Sequence, residues 1–187
     1  MAKYLARWFL RLSGWQVEGG KPYLRRFVLI GAPHTSNWDL VFMLAIAAVL
    51  DVKVEWLGKH ALFRPPLGWL MRRLGGIPVV RHRQENTVLR MAQTFESRES
   101  LALALSAEGT RGYAPYWRSG FYHIARAAGV PIVLGYLDYA RRRGGFGPAI
   151  LPTGDIRSDM DEIRDFYADK VGRHPDRVGE VRLKEEM

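Results

Sequence analysis

His34 and Asp39 are the residues of this chain around which chemistry can most readily be built. Histidine has the side-chain pKa nearest neutrality and is therefore the natural general base. A neighbouring carboxylate can hold the imidazole in one tautomer and stabilise the imidazolium formed when it takes a proton. On an unbroken helix, a separation of five residues corresponds to about 140° of rotation, which points two side chains apart. The pair can meet only across a turn, with His34 in a loop and Asp39 in the first turn of a helix. A plainer reading exists for the same residues. Ser36 followed three positions later by Asp39 resembles a capping box, in which Asp39 satisfies an orphan amide and His34 is an ordinary loop residue.

A second group of interest is Glu108-Gly109-Thr110-Arg111, which follows an apolar run. Its glycine lets a ligand come close to the backbone, and its arginine offers a planar fork of donors to a phosphate. Arg81, at the end of another apolar run, offers a second phosphate contact or simply a solvated strand end. Metal chemistry is not expected. The five histidines, at positions 34, 60, 82, 123 and 174, show neither H-x-x-x-H nor H-E-x-x-H spacing. With no cysteine in the chain there is no thiolate nucleophile or disulfide, and the G-x-S-x-G elbow of serine hydrolases is missing.

The elements that must carry these residues follow from hydrophobic periodicity. Strands are expected over 27–30, 52–57, 77–80, 101–105, 130–139 and 149–151. Helices are expected over 37–50, 67–74, 86–96, 121–128 and 160–171, with the basic run at Arg141 to Arg143 in a loop. Strands alternating with helices imply an α/β fold, a single-domain, mixed and largely parallel sheet flanked by helices. In such sheets, sites gather outside the carboxyl ends of the strands. Three loops are therefore expected to converge: those bearing His34, Arg81, and Glu108 to Arg111.

An amino-terminal amphipathic helix and linker are expected over 1–20, the main domain over 21–172, and a polar, loosely held tail over 173–187. In the amino-terminal helix, residues 5, 8, 9 and 12 trace an apolar stripe, with Lys3, Arg7 and Arg11 off it. Such a stripe suits either an interfacial membrane helix or packing on the domain's own core. The segment 62–73, mixing aromatics with arginines, carries the same two readings. With 187 residues, 48% of them hydrophobic, the chain can bury a substantial core. Its formal charge of +9 favours anionic partners: nucleic acid, phosphorylated metabolites or an acidic membrane surface. The longest apolar run, 40–50, falls well short of the roughly 20 residues that span a bilayer, so no transmembrane segment is expected.

Four blocks in fixed order then carry a resemblance. They are His34-Thr35-Ser36-Asn37-Trp38-Asp39, Gly75-Gly76-Ile77-Pro78-Val79-Val80-Arg81, Glu108-Gly109-Thr110-Arg111 and Gly129-Val130-Pro131-Ile132-Val133. Together they resemble the lysophosphatidic acid acyltransferase family, within the glycerolipid acyltransferases. Departures are Pro33 where that family usually has asparagine, Ser106-Ala107 in place of Phe-Pro, and Pro78 where an aromatic is frequent.

The resemblance implies a glycerolipid acyltransferase-like fold. It also implies transfer of a fatty acyl group from acyl-CoA or an acyl carrier protein to the hydroxyl of a lysophospholipid such as lysophosphatidic acid. His34 would be the general base and Asp39 its orienter. Arg81, Glu108, Gly109, Thr110 and Arg111 would bind substrate, with Glu108 either touching the acceptor or holding Arg111. No cofactor is expected beyond the acyl thioester as co-substrate. An anionic membrane surface is expected as a partner, and the location is expected to be cytoplasmic, peripheral on the inner face of the membrane. The alternatives are a different lipid or glycolipid acceptor, a hydrolase using the same base on water, or a basic nucleic-acid- or membrane-binding module without catalysis.

Overall fold

The most apolar strand organises the rest. In the computed structural model, which describes residues 2–79 and 84–187, β2 (Arg26–Ala32) holds Phe27, Val28, Leu29 and Ile30 each at 2% exposure or less. A strand buried on both faces lies inside a parallel sheet covered by helices on either side. Its side chains divide between two cores. Val28, Ile30 and Ala32 join a cluster with α4 (Gln84–Glu96), α5 (Gly120–Ala128) and α6 (Ile156–Tyr167). Phe27 and Leu29 join another cluster with α2 (Trp38–Val49). The result is a three-layer arrangement with β2 at its centre.

The other strands are β1 (Gln16–Glu18), β3 (Val54–Lys59), β4 (Gly76–Val79), β5 (Leu101–Ser106), β6 (Ile132–Asp138) and β7 (Arg143–Ile150). They form one seven-stranded sheet in the order β1-β7-β6-β2-β5-β3-β4. Every neighbouring pair is parallel except β6 and β7, which are antiparallel. The mixed, largely parallel sheet is the one expected. Strand β1 was not expected, and β7 opens six residues before the strand expected over 149–151. Arg143 to Gly145, read as loop, open β7, and β1 pairs with them in the register Gln16 with Arg143 and Glu18 with Gly145. Glycine hid this strand, because its composition mimics a turn. The reason for it is steric: a Cβ on Gly145 would stand 2.0 Å from the carbonyl oxygen of Glu18.

Helix α1 (Ala2–Leu12) divides the stripe expected from periodicity. Ala6, Phe9 and Leu10 turn inward towards Trp15, Phe42 and Ile46, with Trp15 stacked on Phe42 at 4.3 Å between centroids. Leu5, Trp8 and Leu12 remain 66–78% exposed. Helix α3 (Gly68–Arg73) likewise leaves Trp69 67% exposed, while Phe63 before it is buried. Among the described residues no helix is long and apolar enough to cross a membrane.

Helix α6 starts earlier than expected, at Ile156, because Asp155 caps it by accepting a hydrogen bond from the Ser158 amide at 3.2 Å. The tail expected to be loose is packed. Leu183 is fully buried and bridges to Trp117, and Arg164 pairs with Glu186.

Candidate active site

At the carboxyl end of β2 the chain turns through Pro33 to Asn37 and enters α2, which puts His34 in the loop and Asp39 in the first helical turn. His34 Nδ1 lies 3.2 Å from Asp39 Oδ2. The Thr35 and Ser36 amides each donate to that same oxygen at 2.8 Å. Both readings of the motif are therefore met by one carboxylate: Asp39 caps the turn and also faces the imidazole. Because a carboxylate accepts, Nδ1 carries the proton and Nε2 is left as the basic nitrogen. Burial by itself would raise the Asp39 carboxyl. Hydrogen bonds from His34, Tyr139 and the Ser36 amide outweigh that and hold it below its usual value.

The other oxygen of Asp39 has a partner that the sequence motifs did not indicate. Tyr139, just past the end of β6, donates its hydroxyl to Asp39 Oδ1 at 2.6 Å. The only signal available was topological: β6 pairs with β2, so the carboxyl end of one lies beside the carboxyl end of the other.

Glu108 holds partners other than Arg111. It is 4% exposed, and its Oε1 accepts the His34 backbone amide at 2.8 Å while Oε2 accepts the Ser106 hydroxyl at 3.2 Å. Neither Arg111 nor the solvent side engages it; it holds the histidine loop from beneath. Burial pushes its carboxyl above the usual range, and the hydrogen bond from His34 only partly offsets this.

Gly109 adopts φ +67, a conformation that L side chains rarely adopt, and a Cβ there would stand 2.9 Å from Arg118 Cγ. Thr110 and Arg111 follow on the surface, and Thr110 Oγ1 accepts the Gly112 amide at 3.3 Å. Arg111 is exposed and pairs with no carboxylate among the described residues. The loops after β2 and β5 converge, tied by the Glu108–His34 bond. The third expected loop leaves β4, three places from β2 in the sheet, about 14 Å at some 4.8 Å per strand. Arg81 itself lies outside the described residues.

The carboxy-terminal segment reaches the site as well. The His174 amide donates to Thr35 Oγ1 at 3.1 Å, and the Tyr139 amide donates to the Val171 carbonyl at 2.9 Å. Between them, the Arg173 guanidinium lies 5.9 Å from the Trp38 ring and 6.0 Å from the Tyr139 ring. Sequence reading passed over these contacts because their partners lie far apart along the chain.

Comparison with known proteins agrees with this fold. The fold matches the crystal structure of the 1-acyl-sn-glycerophosphate (LPA) acyltransferase PlsC from Thermotoga maritima at a TM-score of 0.58. That match has 17% identity and covers 90% of this chain and 74% of that one. No curated protein matches the sequence. The Acyltransferase family profile matches residues 16–134, which hold the histidine loop, the Glu108 loop and β6 as far as Leu134. Over well more than half its length this chain is an acyltransferase, and it belongs to that family.

Proposed function

We propose that the protein transfers a fatty acyl group from an acyl thioester, acyl-CoA or acyl carrier protein, to a hydroxyl of a lysophospholipid such as lysophosphatidic acid. The observation carrying this reading is the contact between His34 Nδ1 and Asp39 Oδ2 at the carboxyl end of the central strand. His34 Nε2 takes the proton of the acceptor hydroxyl as that oxygen adds to the thioester carbonyl. The tetrahedral intermediate collapses, the C–S bond breaks, and the imidazolium returns its proton to the departing thiolate. Asp39 keeps the imidazole in the required tautomer and stabilises its charged form. Arg111, exposed and without a carboxylate partner among the described residues, is assigned to the acceptor's phosphate; Arg81, outside the described residues, is assigned as a second phosphate contact.

The acceptor and the product are lipids, so the enzyme works at a bilayer, peripherally and on the cytoplasmic inner face. Support comes from α1, whose Leu5, Trp8 and Leu12 stay exposed next to Lys3, Arg7 and Arg11. Each basic side chain near an anionic leaflet adds about 1 kcal/mol of attraction. No cofactor beyond the acyl thioester is part of this reading.

The test offers labelled acyl-CoA and acyl carrier protein with a panel of lysophospholipid and glycolipid acceptors, products being identified by mass spectrometry. An esterified phosphate-bearing lipid is expected. Free fatty acid with every acceptor would instead mean hydrolysis. His34→Ala should lower the transfer rate about 10²–10⁴-fold with an unchanged melting temperature. Retained turnover would remove His34 from the mechanism.

A further inference from the structure

Asp39 divides its two oxygens. Oδ2 accepts from His34 and from the Thr35 and Ser36 amides, while Oδ1 accepts from the Tyr139 hydroxyl at 2.6 Å. A carboxylate bound on one side only can swing about its last torsion, whereas one bound on both sides cannot. We propose that Tyr139 is a positioning residue for the acyl-transfer reaction: it fixes Asp39 so that Oδ2 faces the His34 imidazole, and takes up part of that carboxylate's charge. The inference rests on the reading of His34 as the base.

Tyr139 is itself held firmly enough to do this. It sits in the turn after β6, where Asp138 Oδ1 accepts the Ala140 and Arg141 amides at 3.1 and 3.3 Å. Its own amide is bonded to the Val171 carbonyl, and its ring stands edge-on to Trp15 at 4.9 Å and to Phe42 at 6.0 Å. Packing and hydrogen bonding thus leave the hydroxyl one direction in which to point. The charged and titratable groups facing this cluster are Asp39 and His34 from the turn and α2, Glu108 beneath the His34 amide, and Arg173 beside the ring. Burial, and next the bond to Asp39, raise the Tyr139 phenol well above its ordinary value, so it stays a proton donor at every pH of interest. The phenol shares the carboxylate's charge with the imidazole. Without it, Asp39 holds a protonated His34 more strongly.

The experiment is a pair of substitutions at Tyr139 with two readouts. Tyr139→Phe keeps the ring packing and removes the donor. It should lower kcat about ten-fold with both KM values within two-fold of wild type, as the loss of an outer-layer partner typically does. It should also move the acid limb of the kcat/KM profile to higher pH. Replacement of Tyr139 by 3-fluorotyrosine keeps size and fold but makes the phenol a stronger donor, and it should move the limb to lower pH. The second readout is the imidazole titration of His34 followed by NMR, which needs no turnover and should shift in the same two directions.

A titration and profile unmoved by both replacements, with only the melting temperature of Tyr139→Phe lowered, would overturn the proposal and leave Tyr139 a packing residue. If the wild-type protein transferred no acyl group to any acceptor, the reading of His34 as the base would fail instead. The NMR titration would still decide whether Tyr139 acts on the pair.

Discussion

At the scale of single residues, one loop is braced by carboxylates that carry opposite pH signatures. Glu108 is raised by burial, so the folded chain holds that proton more tightly than the unfolded chain. Its contribution to stability is complete below the unfolded value, about 4.3, and is lost as pH climbs through the folded value. Asp39 behaves oppositely. Its carboxyl is held low, so its contribution is present above about 3.9 and is lost as pH falls through the folded value. Glu108→Gln removes the first signature and keeps an oxygen for the His34 amide. The melting temperature of this variant relative to wild type should therefore become more favourable from pH 4 towards pH 8. A difference constant over that range would show that Glu108 titrates alike in both states.

Among the elements, legibility followed periodicity. The continuous apolar run of β2 and the apolar helix after it announced a buried parallel strand and its partner, and both lie within a residue or so of their expected limits or extend them only slightly. Strand β7 was expected only over 149–151, because its Arg-Gly-Gly opening has the composition of a turn; the glycines there answer to the close approach of β1, which no local pattern records. Gly145→Ala should cost about 1–3 kcal/mol, as overpacking does, and should loosen β1 first in hydrogen exchange. In α1 the helical period was right and the expected stripe divides, Leu5, Trp8 and Leu12 staying exposed while Phe9 turns inward. Residues 5, 8, 9 and 12 were grouped, yet the fold buries Leu10 and partly buries Ala6 and Phe9, because Trp15 and Phe42 receive them there.

The exposed remainder of that helix sets a second expectation. Replacing Leu5, Trp8 and Leu12 together with serine should leave the melting temperature nearly unchanged. Association with anionic vesicles should fall by at least about ten-fold, since burying one such side chain is worth about 1.5–3 kcal/mol. Undiminished vesicle binding would move the docking face elsewhere.

Taken as a whole molecule, the meeting of His34 and Asp39 and the approach of the Glu108 loop were readable, while the contacts from Tyr139 and His174 were not. His34 and Asp39 are close in sequence and meet through one turn. Tyr139, Glu108 and His174 reach the same turn from loops that only the sheet order brings together. The tail belongs to this architecture: Leu183 is fully buried and the Trp117 amide donates to the Arg182 carbonyl at 2.8 Å. Leu183→Ala should destabilise the protein by about 2–5 kcal/mol in denaturant unfolding, the range for emptying a packed aliphatic site. A cost near zero would mean the tail rests on the surface without supporting it.

The bond from the His174 amide to Thr35 Oγ1 joins positions 139 residues apart. During synthesis, Thr35 emerges 139 residues before that partner. A nascent chain that has not yet reached His174 therefore carries the imidazole and its carboxylate without the last tie on their turn.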